Sequence, residues 1–171
     1  EALVVEYPEV EASVRLKEQG RYLVKTGEVT YQQEGLVFAD SSIFSVFDIV
    51  LTKGTNEALY KPNSIVLDEK TAEKYFGNNN PIGERLLLDN DLDVEVTGVY
   101  KSLPANSHFH YTHILAMSSL EYSRDTNWLS NNFYTYILLR EGSSGPELEA
   151  KFPKMIDKYV GPQVDQILNL S

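Results

Sequence analysis

The sequence predicts an α+β protein made mostly of short antiparallel strands, with two or three helices and two subdomains. Several short stretches alternate apolar and polar residues, which is the period of a half-buried strand. Glycines and asparagine-containing pairs separate these stretches and predict turns. Only two regions, near residues 68–77 and 146–159, place apolar residues at helical spacing.

The first part of the chain predicts a meander of strands. Apolar and polar residues alternate over residues 10–16, and glycine turns lead into two further stretches, 22–25 and 29–38. Asp40 is then placed to cap a short apolar turn at residues 43–47, because its side chain can accept from free backbone N–H groups.

The middle of the chain predicts strands at residues 47–51 and 64–67. Asp68 then stands at the N-cap of a short helix that ends at Gly77. A hairpin follows over residues 86–100, with apolar residues on its inner face.

The last part predicts strands at residues 109–117 and 133–139, followed by a helix from about 146 to 159. Pro153 lies inside this helical pattern, so we expect a kink there or a helix that restarts. Gly161 and the proline after it are expected to end the helix.

Composition limits the classes of function. The chain has 171 residues, of which 42% are hydrophobic and 23% charged, as in an ordinary folded protein. Its net charge of -10 repels phosphate backbones, so we expect no nucleic-acid partner. The absence of cysteine excludes disulfides, thiolate zinc sites and a cysteine nucleophile. No apolar stretch approaches the roughly 20 residues that span a bilayer.

Three histidines are candidate metal ligands. On a strand, His108 and His110 would share one face at a spacing that can chelate a metal, whereas His113 would lie on the other face. No nearby carboxylate completes the set. The sequence therefore favours half-buried structural histidines, and a metal-dependent hydrolase using His108 and His110 is kept as an alternative function.

Other signatures of chemistry are incomplete. Asp89, Asp91 and Asp93 resemble the start of a calcium loop, but Val94 occupies the position where that loop needs glycine. The sequence contains neither a phosphate-binding loop nor a nucleophile elbow. We therefore predict no catalytic, metal-binding or cofactor-binding residue, and a mechanical or binding role.

Five segments occur in an order and spacing that are typical of one family. Together they resemble the MacB-like periplasmic core domain of FtsX-type ABC transporter permeases, and the likeness runs from about residue 7 to 161. The segments are FADSSIFSVF (38–47), SIVLDEKTAEKYFG (64–77), NPIGE (80–84), VEVTGVY (94–100) and LPANSHF (103–109).

The resemblance implies a domain between the first and second spans of a four-helix permease, on the outer face of the bacterial cytoplasmic membrane. It implies a porter-like subdomain from residues 1–46 and 123–171, and an inserted, sabre-like mixed α/β subdomain from residues 47–122. The helix that continues from the first span and the segment that returns to the second are expected to lie outside this sequence.

In function, the resemblance implies that the domain transmits ATP-driven movements of a separate cytoplasmic ABC ATPase and is not itself an enzyme. Family members drive export, lipoprotein release or antimicrobial-peptide resistance, so a periplasmic adaptor or a substrate protein or peptide is an expected partner. We expect a dimeric full-length permease and a monomeric isolated domain. A free-standing soluble ligand- or protein-binding module of the same fold is the other alternative function.

The chain would cross between the subdomains near residues 40–47 and again near 122–132. Small and polar residues are frequent in both crossings and suit hinge positions, although ordinary loops would have the same composition. The candidates are Ser41, Ser42, Ser123, Asn127, Asn131 and Asn132.

Overall fold

The computed structural model describes residues 2–104 and 106–168. Within these ranges the chain forms ten strands that belong to one sheet. The strands are β1 (Val10–Gln19), β2 (Tyr22–Thr26), β3 (Val29–Gln33), β4 (Leu36–Ala39), β5 (Leu51–Lys53), β6 (Ser64–Asp68), β7 (Arg85–Leu88), β8 (Leu92–Tyr100), β9 (His113–Ala116) and β10 (Tyr134–Leu139).

Helices accompany the sheet at both ends of the chain and in its middle. Three have eight residues each, and the others are single turns. They are α1 (Ala2–Glu6), α2 (Ile43–Val46), α3 (Glu69–Phe76), α4 (Gly145–Glu149), α5 (Phe152–Tyr159) and α6 (Gly161–Leu168), with two short 3-10 turns at Met117–Ser119 and Glu121–Arg124.

The sheet runs in the order β10-β1-β4-β9-β6-β8-β7-β2-β3, and β5 pairs with β8 beside this path. Two neighbouring pairs, β4 with β9 and β6 with β8, are parallel, and the other pairs are antiparallel. The predicted α+β class with mainly antiparallel short strands is confirmed.

The core lies on both faces of the sheet. Every residue of the central strands β4, β6 and β9 is buried. Neighbouring residues on one strand therefore enter different clusters: Leu67 packs against α3 with Leu115, whereas Val66 packs on the opposite face with Ile114.

Helix α3 forms as the sequence predicts. The Asp68 carboxylate accepts the Thr71 N–H at 2.9 Å, which satisfies one of the free donors of the first turn. Ala72 is buried, Tyr75 packs against the core, and the helix ends at Gly77 with φ at +60°.

Three predicted strands differ from the structure, and one of them, predicted over residues 109–117, forms only over His113–Ala116. Residues 29–38 do not form one strand, because Gly35 takes φ of +83° and divides them into β3 and β4. Residues 47–51 are predicted as a strand, but Asp48 takes φ of +50° directly after α2, so extended pairing begins only at Leu51. Phe47 still packs against the core from this turn.

The C-terminal helical region also departs from its prediction. It restarts near Pro153 as expected, because α4 ends at Glu149 and α5 begins at Phe152. Helix α5 ends at Tyr159, as the glycine and proline at 161 and 162 predict, but a further helix, α6, begins at Gly161. Pro162 stands in its first turn, where a missing N–H leaves no helical bond unmade.

The two segments predicted as subdomains contribute to one sheet. Strand β2 from the first segment pairs with β7 from the second, and β4 pairs with β9. The division at residues 46 and 122 stays a prediction. Within residues 2–104 and 106–168, the helices are too short or too polar to cross a bilayer.

Candidate functional site

The two predicted crossings meet at the side chain of Arg15 in β1. Its Nε and Nη2 atoms donate to the Asp40 carboxylate, each at 2.9 Å. Its Nη1 atom donates to the Ser123 carbonyl oxygen at 2.6 Å. One guanidinium therefore ties the start of the first crossing to the start of the second.

Strand register positions this contact. Leu16 pairs with Ala39, so Asp40 follows the end of β4 directly beside Arg15. The Arg15 N–H donates to the Asp40 carboxylate at 2.9 Å, and the Asp40 N–H donates to the Arg15 carbonyl at 3.3 Å. The guanidinium also lies 5.3 Å from the centre of the Phe133 ring, in range of a cation–π interaction. Asp40 is thus held by both backbone and side chain.

Further contacts engage several of the predicted hinge residues. The Ser42 hydroxyl donates to the Ser13 carbonyl at 2.6 Å, and Lys17 bonds the Tyr122 hydroxyl. Asn127 accepts from the Leu129 N–H at 2.9 Å. Of the other candidates, Ser41 is half-buried, and Asn131 and Asn132 are exposed.

Loss of the charge on Asp40 is expected to destabilise the junction. The Arg15 and Asp40 side chains are only 34% and 29% exposed, so their bidentate pair is screened less than a surface pair. We expect Asp40→Asn to lower the free energy of unfolding by about 2 kcal/mol. Urea unfolding followed by circular dichroism measures this.

The matched control is Asp93→Asn, which breaks the Arg85–Asp93 pair between side chains 56% and 55% exposed. That loss should be much smaller than the loss at Asp40, because solvent screens the exposed pair. Equal effects of the two substitutions would contradict a special role of the Arg15 contact.

The three histidines do not assemble. His108 and His110 are exposed in the loop before β9, so the predicted shared strand face is not formed. His113 is fully buried within β9. In the parts of the chain that the structure describes, no three histidine, aspartate or glutamate side chains are grouped closely enough to hold a metal ion.

His113 is instead the centre of a buried hydroxyl cluster. Its Nδ1 lies 2.7 Å from the Tyr22 hydroxyl and 2.8 Å from that of Thr112, and its Nε2 lies 3.0 Å from the Tyr75 hydroxyl. Burial lowers the pKa of His113 from 6.5 to about 3, more than the nearby Asp68 carboxylate raises it. The imidazole is therefore neutral at ordinary pH.

An apolar pocket of about 330 Å³ lies between the α2 region, the loop before β9 and β10. Three of its rings pack edge to face, with centroid distances of 4.8 Å for Phe47–Phe109, 5.2 Å for Phe47–Tyr136 and 5.4 Å for Phe109–Tyr136. Its walls are Ile43, Phe47, Ile49, Leu103, Ser107, His108, Phe109, Tyr111 and Tyr136.

Sequence reasoning predicts two crossings but does not indicate the side chain that contacts both. Arg15 occupies an ordinary polar position in an alternating strand, and its partner Asp40 is 25 residues away. The sequence offers one clue, an aspartate directly after a buried strand, but its position predicts a helix cap. The α2 N-cap lies at Ser42 instead, and the Asp40 carboxylate serves Arg15.

The sequence profile of the MacB-like periplasmic core domain matches residues 1–155, which is most of the chain. The chain belongs to this family. A search among curated proteins finds no match. The family assignment makes the chain an extracytoplasmic domain of an ABC transporter permease, a domain that is not itself catalytic.

Solved structures share the fold. A domain assigned to a permease of Porphyromonas gingivalis has a TM-score of 0.81 at 25% identity, covering 92% of this chain and 74% of that one. The periplasmic region of MacB from Actinobacillus actinomycetemcomitans has a TM-score of 0.68 at 13% identity, covering 98% and 80%. The extracellular domain of the noncanonic ABC-type transporter YknZ from Gram-positive bacteria has a TM-score of 0.64 at 17% identity, covering 91% and 79%.

Proposed function

We propose that this MacB-like periplasmic core domain transmits ATP-driven conformational change across a bacterial cytoplasmic membrane to a partner or substrate on the outer side. ATP hydrolysis would take place on a separate cytoplasmic ATPase that associates with the full-length permease. Export of a substrate, lipoprotein release and peptide resistance are the outputs this mechanism could serve, and a periplasmic adaptor is a fitting partner.

The observation that carries this proposal is the contact of Arg15 with both crossings. A domain that transmits movement needs its connections between parts held in place, and one side chain here joins β1 to residues 40 and 123, which are both on the 1–46 and 123–171 side of the division. We propose that residues 1–46 and 123–171 act as one part, whose two crossings this contact holds together, and that residues 47–122 form the other part. The absence of a complete catalytic motif from the sequence agrees with a mechanical role.

A disulfide between the crossings tests the proposal in the full-length permease. A cysteine pair, one in residues 40–47 and one in 122–132, is chosen at a Cβ separation of about 3.5–4.5 Å. Oxidation should reduce export or resistance at least tenfold while ATPase activity persists, because movement is uncoupled from its output. Reduction should restore export.

The control carries each cysteine alone under the same oxidant. Full export with the disulfide completely formed would show that these segments are only connectors. Parallel loss of ATPase activity would mean that the junction controls hydrolysis rather than output.

A further inference from the structure

Strand β10 forms an edge of the sheet, and the direction of its free backbone groups follows from the contacts of β1. The Arg15 carbonyl accepts from the Asp40 N–H, and the Ser13 carbonyl accepts from the Ser42 hydroxyl. Both carbonyls therefore point away from β10. In an antiparallel pair, residues opposite such positions also point their N–H and C=O groups away from the partner strand.

Thr135 lies opposite Arg15, and Ile137 lies opposite Ser13. Their backbone N–H and C=O groups therefore point outward from the sheet edge. Every residue of β10 is at least partly exposed, and Tyr134 is 67% exposed. Within residues 2–104 and 106–168, these outward groups form no hydrogen bond with another backbone group.

This edge lacks the usual protection against pairing. The sequence of β10, YTYILL, contains no charged residue and no proline. The opposite edge, β3, is also uncharged, but there Tyr31 packs against Tyr75 at 5.0 Å and lies under Lys74 at 4.7 Å. The β10 edge differs from the β3 edge because it adjoins the apolar pocket: Tyr136 is part of the strand and also lines the pocket.

We propose that β10 binds an extended, basic peptide segment of a partner by strand addition, with one apolar side chain of the peptide in the pocket beside Tyr136. Main-chain bonds to Thr135 and Ile137 would supply affinity for any extended segment, and the pocket would select a side chain. The pocket volume of about 330 Å³ is at the lower end of ligand pockets and suits a single aromatic or branched aliphatic group.

Charge determines which occupant is favoured. The chain carries a net charge of -10, so two copies repel each other whereas a basic segment is attracted. Close to the pocket, Asp48 separates the lining residues Phe47 and Ile49, and Glu18 accepts from the Tyr111 hydroxyl at 2.8 Å. Two basic side chains lie beside β10: Arg15, opposite Thr135, is paired with Asp40, and Arg140, directly after the strand, donates to the Pro8 carbonyl at 2.9 Å. A basic peptide thus fits this edge better than a second copy of the chain.

The inference deepens the proposed function, on which it rests for the existence of a docking partner. It is tested by binding to this chain alone, which requires no transport. A failure of peptide binding would leave the disulfide result intact, and a failure of the disulfide test would leave the binding result intact.

The probe is the blocked, fluorescently labelled peptide KTVFVTK, titrated by anisotropy at low salt. We expect micromolar binding that weakens at least tenfold in 0.5 M salt, because the attraction is partly electrostatic. A peptide with alternate amides N-methylated should not bind, and ETVFVTE and KTVAVTK should bind at least fivefold more weakly.

Thr135→Pro removes an outward N–H without removing a bond to β1, as an edge strand tolerates. It should weaken binding at least tenfold, whereas its control Thr135→Val keeps the N–H and should bind as the parent does. Ser107→Trp should block the pocket and Ser107→Ala should not. Thermal unfolding confirms that each variant is folded.

Three results would overturn the proposal: equal binding by Thr135→Pro and Thr135→Val, unchanged binding of the N-methylated peptide, or no binding below 1 mM. Sedimentation gives a fourth. A dimer that Thr135→Pro dissociates would show that a second copy occupies this edge.

Discussion

Lowering the pH from 7 to 4 is expected to destabilise the folded domain by about 3 kcal/mol through His113 alone. The pKa of this histidine is about 3 in the folded chain and 6.5 when it is not buried. Between these values the unfolded chain binds a proton that the folded chain does not. Stability is therefore complete above pH 6.5 and is lost as the pH falls toward 3.

The measurement is the free energy of unfolding in urea at several pH values, for the parent and for His113→Gln. The variant is less stable at pH 7, because it disturbs the contacts to Tyr22 and Tyr75. Its stability should nevertheless fall less between pH 7 and 4, by about the 3 kcal/mol assigned to the histidine.

Carboxylates also contribute to acid unfolding, so the difference between variants is the decisive quantity. His108→Gln serves as the control, since it replaces an exposed histidine outside the buried cluster. If His113→Gln retains the full pH dependence of the parent, the neutral buried imidazole is not its source.

Gly54→Ala is expected to cost about 3 kcal/mol or more. Gly54 follows β5 with φ at +87°, and a Cβ atom there would lie 2.4 Å from the Thr97 carbonyl oxygen in β8. The added carbon would clash with the backbone of β8 at the point where β8 changes register against β6. Neither the segment at Gly54 nor β8 can therefore shift without disturbing the sheet. Thermal and urea unfolding measure the loss.

Gly27→Ala is the matched control, because Gly27 also has positive φ, at +55°, but has no atom within 4 Å of the added carbon. Only the backbone strain of about 1 kcal/mol should remain. Similar losses at both positions would show that close packing against β8 is not the constraint.

Local signals predicted the local parts of the fold. Helix α3 was predictable because Asp68 and Gly77 mark its ends, and the β7–β8 hairpin because its alternation continues across a short polar turn. The strand predicted over residues 47–51 failed at Asp48, whose positive φ depends on how α2 leads into the core. The residue patterns of β4 and β6 do not indicate that each strand pairs in parallel with a strand from a distant segment.

The candidate site was predictable only as two loops. Small and polar residues are frequent in the two predicted crossings, but the Arg15 side chain that contacts both reaches Ser123, 108 residues away. His113 is similar, because its burial depends on Tyr22, 91 residues away in sequence. Such contacts follow from sheet order, which the family resemblance implies more strongly than any local pattern does.

The pairing of β1 with β10 makes the domain respond differently to forces in different directions. Val10 lies opposite Leu139, so the chain enters β1 and leaves β10 at the same end of the pair. The contact of Glu9 with Lys151 joins the flanking segments at that end. A sideways load there would unzip the pair one hydrogen bond at a time, whereas a load along the strands is shared by all the bonds in shear. We therefore expect the β1–β10 pair to resist a load along β1 and to open more easily under a lateral one.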